Sequence, residues 1–223
     1  MPPELLIFDW DGTVMDSIPR IVAVTQASFA RLGMTGQPSE VIRAGIGLSV
    51  AEYLARLAPG LDQEQSLLFH AAFRELWRSD LFPMPEPFAG VFQALEKLLD
   101  RGLILAVATG KSRVSLDRDL AFHPELGRLF HFTLCADESM PKPHPAMVHT
   151  LLCQAETSPQ RAMVVGDSLF DLQMARAASV RAVGVASGCL SERDLQTLDW
   201  DARLPGVASL PHFLSESAEP SSP

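Results

Sequence analysis

The chain has 223 residues, 47% hydrophobic and 20% charged, with a net charge of −9. That length can bury a core as one large domain or two small ones. No Lys/Arg cluster provides a basic face and no apolar run approaches the ~20 residues that cross a bilayer, so neither nucleic acid nor a membrane is an expected partner.

The N-terminal residues Met1-Pro2-Pro3-Glu4 lack the basic and apolar segments of a secretion signal, which predicts a cytoplasmic protein. Leu5-Leu6-Ile7-Phe8 reads as a buried strand ending at Asp9. Apolar spacing predicts a helix over 17–32, with Gly33 as its cap. Further helical pieces are expected from Ser39 or Glu40 to Gly45, over 50–57 and over 63–81. Asp80 to Pro87 carries three prolines and marks a boundary. Beyond it the pattern alternates. Helices are expected over 91–101, 112–122, 145–155 and 169–178, and strands over 103–108, 132–135, 162–165 and 181–185. Such alternation predicts an α/β fold, a parallel sheet with helices on both faces. The stretch 16–87 contains no convincing strand and reads as a small all-helical insertion after the first strand. The expected division is therefore a core of 1–15 and 88–215, a helical cap of 16–87, and a flexible tail of 216–223 rich in Ser and Pro. Cys135, Cys153 and Cys189 are widely spaced and fit neither a disulfide framework nor a zinc site.

Ligands of open parallel sheets sit beyond the carboxyl ends of the strands. Three expected strands run into Asp9, Thr109 and Asp167, and Lys142 follows a fourth. Asp9 and Asp11 share one side of an extended backbone because side chains alternate with period two. Asp167 and Asp171, four apart at a helix start, face the same way. Carboxylates gathered at one rim raise one another's pKa values, and Mg²⁺, a hard cation with oxygen ligands, relieves the repulsion. Asp9 is then the expected nucleophile and Asp11 the acid and base. Thr109 and the backbone N–H of Gly110 bind a phosphoryl oxygen, and Lys142 balances charge on Asp9 and the phosphoryl group.

These blocks resemble the haloacid dehalogenase superfamily across almost the whole chain. Asp9-Trp10-Asp11-Gly12-Thr13-Val14 matches its first motif, Thr109-Gly110 its second, Lys142 its third and Gly166-Asp167-Ser168-Leu169-Phe170-Asp171 its fourth. The resemblance implies a Rossmann-like three-layer core and Mg²⁺ held by the Asp9 side chain, the Asp11 backbone carbonyl and the Asp167 side chain, with Asp171 in support. The insertion resembles the cap of the phosphoglycolate phosphatase-like branch. Trp10 departs from that branch's usual residue and is expected in the core. An acid at Asp11 implies phosphate ester chemistry over carbon–halogen cleavage.

The expected activity is hydrolysis of a small phosphomonoester, phosphoglycolate-like or a sugar phosphate, through an aspartyl-phosphate, by a monomer or homodimer. A β-phosphoglucomutase-type phosphomutase and an inactive binding module with the same fold are the alternatives. In the cap, Arg43 is a candidate for binding a substrate carboxylate or second phosphate, and Gly45 and Gly47 allow close backbone approach. His70, Phe73 and Trp77, at helical spacing, read as packing residues. Asp137 and Glu138 are candidates for tethering Lys142, and His123 reads as a surface residue.

Overall fold

The computed structural model describes residues 2–216. In chain order the elements are β1 (Leu5–Phe8), α1 (Ile18–Arg31), α2 (Ser39–Arg43), α3 (Val50–Leu57), α4 (Gln63–Arg78), α5 (Val91–Asp100), β2 (Ile104–Thr109), α6 (Arg113–Phe122), α7 (Pro124–Gly127), β3 (Phe132–Cys135), α8 (Ala146–Gln154), β4 (Ala162–Gly166), α9 (Leu169–Ala177), β5 (Arg181–Val185), α10 (Glu192–Gln196), β6 (Ala202–Leu204) and α11 (Leu210–Glu216). The expected tail falls outside the described residues from 217 onward.

The six strands pair in parallel in the order β3-β2-β1-β4-β5-β6. Period-two alternation sorts their side chains onto two faces. Leu6, Phe8, Val107 and Val165 join one apolar cluster, completed by residues of α5, α6 and α11. Leu5, Ile7, Ala106 and Val164 join another, completed by residues of α8 and α9. Continuous apolar strands of this kind need a helical layer on each side, and the result is the three-layer Rossmann-like arrangement.

Helices α1 to α4 lie between β1 and α5 and bury a third apolar cluster of their own, including Ile18, Phe29, Ile42, Leu54 and Phe69. α1 and α4 pack against each other, and the Phe29 and Phe69 rings meet with centroids 4.8 Å apart. Capping boxes at Ser49–Glu52 and Asp62–Gln65 satisfy the free N–H groups where α3 and α4 begin. α4 stops at Arg78, three residues before the expected end, because Ser79 takes an extended backbone. The strand β6 and the helices α7, α10 and α11 had no counterpart in the expected pattern; each is too short for periodicity to reveal.

Candidate active site

Chain order reverses between β1 and β4, which makes their carboxyl ends the switch point where open α/β sheets bind ligands. Phe8 pairs with Val165, and the Asp9 N–H donates to the Val165 carbonyl at 2.9 Å, so the sheet itself carries Asp9 to this point. Asp167 arrives one residue past β4, and Asp171 lies in the first turn of α9. Asp9, Asp167 and Asp171 each offer an oxygen within 4.8 Å of the others, and all three are buried. Two glycines permit this crowding. A Cβ on Gly12, whose φ is +84°, would lie 2.4 Å from Asp167 Oδ2, and Gly188 packs against the same carboxylate.

Lys142 is wholly buried, with its Nζ 2.6 Å from Asp9 Oδ1 and 2.7 Å from Asp171 Oδ1. Burial pulls the Lys142 pKa down, but Asp171 and Asp9 overcome it and hold the ammonium charged, above its ordinary value. Asp171 spends its other oxygen on the Ser168 N–H and hydroxyl, at 3.1 and 2.6 Å. Asp167 accepts from the Thr13 hydroxyl at 2.8 Å and the Cys189 N–H at 2.7 Å. Asp9 differs from both. The Lys142 contact is an ion pair by distance, yet neither Asp9 oxygen accepts a well-aligned hydrogen bond. Burial raises Asp9 well above its ordinary value against the pull of Lys142, with Asp171 and Asp167 adding to the rise. Burial and Asp171 push Asp167 up to about 6. Three buried carboxylates against one lysine, with Asp9 Oδ2 lacking a hydrogen bond, fit a hard divalent cation such as Mg²⁺.

Asp11 faces a different neighbourhood. Its Oδ1 accepts from the Ser17 hydroxyl at 2.6 Å and from Lys111 Nζ at 3.1 Å. Lys111 also lies 3.1 Å from Asp119 Oδ2, which accepts a 2.9 Å bond from Trp10 Nε1. Trp10 is thus in the core, as expected, and its indole N–H anchors a chain that ends at Asp11. Lys111 and Asp119 were missed from the sequence. Their only local signal is Lys111 directly following Thr109-Gly110; Asp119 enters through the turn of α6 that points it back to the sheet.

Thr109 is buried at the end of β2, and its hydroxyl oxygen accepts from the Lys111 N–H at 3.2 Å. Gly110 meets the helical insertion: a Cβ there would lie 2.5 Å from the Leu48 carbonyl and 2.6 Å from that of Gly47. Gly47, with φ +104°, itself abuts Ser168. The close approach expected at Gly47 is therefore present. Between insertion and sheet lies a cavity of about 670 Å³, lined by Asp9, Asp11 and Thr109 on one side and by α3 and α4 residues on the other.

Arg43 does not reach this cavity. On the short helix α2 Ile42 takes the buried position and Arg43 turns aside, half-buried. The cations that line the cavity are Arg74, Arg78, Lys111 and Arg118. His70, Phe73 and Trp77 do pack, as Phe73 and Trp77 stack at 5.7 Å, but all three also line the cavity, beyond the packing role read from their spacing. Glu138 and Asp137 hold Arg113 rather than Lys142: Glu138 pairs with its guanidinium at 2.7 Å and Asp137 accepts its N–H at 2.9 Å. His123 is buried, 2.9 Å from the Pro85 carbonyl, contrary to its expected surface position.

Residues 6–185 match the family model of the haloacid dehalogenase-like hydrolases. Phosphoglycolate phosphatase 1 of Pseudomonas aeruginosa is 31% identical over 83% of this chain and 70% of that protein. The phosphoglycolate phosphatase of Pseudomonas putida is 31% identical over 92% of this chain and 80% of its own length. A crystal structure of a hydrolase from Pseudomonas syringae superposes with a TM-score of 0.80 over 98% of this chain and all of that one, at 22% identity, a likeness of fold. No helix among the described residues is long and apolar enough to cross a membrane. The chain belongs to the haloacid dehalogenase-like hydrolase family and is a phosphatase of the phosphoglycolate phosphatase-like kind.

Proposed function

We propose that this phosphatase depends on Mg²⁺ and hydrolyses a phosphomonoester through an aspartyl-phosphate formed on Asp9. The observation that carries the reading is the buried Asp9 carboxylate at the switch point, with Oδ1 2.6 Å from the charged Lys142 Nζ, Oδ2 without a hydrogen bond, and Asp167 beside it. The Asp9 Oδ2 that no hydrogen bond holds is the oxygen free to attack, whereas both oxygens of Asp167 and of Asp171 are held by the chain.

Mg²⁺ would be held by the side chains of Asp9 and Asp167 and the backbone carbonyl of Asp11, where it supplies charge neutralisation for the phosphoryl oxygens. Asp171, with both oxygens engaged, aims Lys142 instead of ligating. Lys142 offsets charge on Asp9 and the phosphoryl group. Thr109, with the backbone N–H of Gly110, binds a phosphoryl oxygen. Asp9 attacks phosphorus in line, and its carboxylate oxygen bonds to phosphorus as the ester oxygen departs. Asp11 gives that oxygen a proton, then takes one from the water that attacks the phosphorus of the aspartyl-phosphate, freeing phosphate and Asp9. Ser17 and Lys111 hold Asp11 for both transfers. The 16–87 insertion acts as a cap that excludes bulk water while the ester is broken; its carbonyls at 47 and 48, seated on Gly110, support this role. The relatives' names make 2-phosphoglycolate one natural ester to assay.

Asp9→Asn tests the reading, since it keeps the size of the side chain and removes the nucleophile. Turnover of every phosphate ester should disappear while the melting temperature stays near that of the parent, and chelation should silence the parent reversibly. Retained turnover in Asp9→Asn protein would end the assignment.

A further inference from the structure

We infer that the ester this enzyme prefers has a bulky, apolar, ring-bearing leaving group, much larger than a two-carbon acid. The inference rests on the phosphatase reading above and concerns what the cap side of the same site selects.

The cavity holds about 670 Å³ with the cap already seated on the core, since the carbonyls of Gly47 and Leu48 stand where a Cβ of Gly110 would be. Closer approach of those carbonyls to Gly110 is limited by contact, so the volume is that of a site with the insertion already against the core. Sites of roughly 300–1,000 Å³ accommodate ligands of drug size. A phosphorylated two-carbon acid fills a small part of such a space.

The wall is aromatic and fixed. Phe73 and Trp77, one turn apart on α4, stack with an interplanar angle of 10°, Trp77 buried and Phe73 half-buried, and both line the cavity. Trp77 is clamped from two sides of its own residue. The Arg20 guanidinium lies 4.7 Å from its ring centroid and donates to its carbonyl at 2.6 Å, and a second 2.6 Å bond ties Arg20 to the Pro83 carbonyl. Lys111 Nζ lies 5.0 Å from the same ring centroid. A ring held by cation–π contacts on a buried arginine loses little freedom when a ligand stacks near it, and that pre-organisation favours binding. Ile21, Ile46 and Leu48 add aliphatic surface to the lining.

Several lining groups that could greet a polyol are engaged. The Tyr53 hydroxyl is bonded to Thr25 at 2.9 Å, Lys111 to Asp11 and Asp119, and Asp137 to the Arg113 N–H. A sugar hydroxyl placed against this lining would lose water without an equal replacement. Arg74, Arg78 and Arg118 offer positive charge on a chain of net charge −9, which draws the phosphate dianion in.

The test compares kcat/KM, with Mg²⁺ present, for acetyl phosphate, 2-phosphoglycolate, glucose 6-phosphate and 2-(1-naphthyl)ethyl phosphate. The last is a primary alkyl ester, so an easier bond cleavage does not explain a preference for it. The expected result is at least about tenfold higher kcat/KM for the naphthylethyl ester than for 2-phosphoglycolate or glucose 6-phosphate, a size typical of apolar pocket discrimination. Phe73→Ala and the milder Phe73→Leu should shrink that ratio towards one, through KM. If 2-phosphoglycolate or glucose 6-phosphate matches or beats the naphthylethyl ester, the inference is overturned while the phosphatase reading stands. If no compound is turned over, acetyl phosphate included, the phosphatase reading itself fails and the inference goes with it.

Discussion

The two sides of the site are built from opposite materials. On the core side, Asp9, Asp167, Asp171 and Lys142 are buried at 0–2% exposure, and almost every charged atom is held by another or by the backbone. On the side of the helical insertion, the proposed cap, the wall is the stacked pair Phe73 and Trp77 with aliphatic neighbours and the α4 arginines Arg74 and Arg78, the aromatic pair held mainly by packing and by Arg20. The difference teaches how the two tasks divide. Phosphoryl transfer needs charges fixed to a fraction of an ångström, and strand ends locked in a sheet supply that. Choosing a leaving group needs only shape and apolarity, which helices with large side chains supply. Lys111 joins the two, touching Asp11 on one side and the Trp77 ring on the other.

Substitutions on the core side should therefore act on kcat, and those on the cap side on KM. The largest effect is expected at Asp9: Asp9→Asn should lower kcat by at least about 10⁴-fold in a steady-state assay, as loss of a nucleophile does elsewhere. Lys142→Met comes next. It leaves Asp171 and Asp9 without their counter-charge, so chemical denaturation should show a loss of about 3–5 kcal/mol, the cost of breaking a buried pair, alongside a fall in kcat. Little change in either quantity would mean that the core side is not organised around ion pairing.

Much of that core side was legible in the sequence. Asp9, Thr109 and Asp167 each follow an apolar run of strand length, so their convergence follows from parallel topology alone. β1, β3, β5 and α3 fall at the expected residues. Contacts between distant segments were not legible. Asp119 gives no local sign that it will meet Trp10 and Lys111, because a tertiary fold, rather than spacing, brings 10, 111 and 119 together. Arg43 falls outside the cavity lining because neighbouring positions on a helix point to different sides, and in a helix as short as α2 the burial of Ile42 decides which side faces in. β6 is three residues long and half-exposed, below what alternation can signal.

The smaller predictions sharpen the division. Lys111→Met should lower kcat by about 10²-fold, the range of a general acid–base group, with Lys111→Arg recovering part of it. It is the one substitution expected to move kcat and KM together, because it also removes the cation beside Trp77. Gly110→Ala should raise KM several-fold for esters of every size, since its methyl meets the carbonyls of Gly47 and Leu48 and holds the cap off the core. Melting temperature should change less than for Lys142→Met. Arg43→Ala should leave KM within about twofold for any ester turned over, the ordinary result for a surface change. A tenfold rise would place Arg43 in the site after all.

The central claim, a covalent intermediate on Asp9, has a direct chemical readout. Acid quench during turnover with Mg²⁺, followed by borohydride reduction, converts an aspartyl-phosphate to homoserine, which peptide mass spectrometry locates. Homoserine at position 9, present with substrate and absent without it, is the expected result. Homoserine at another aspartate during active turnover would contradict the account.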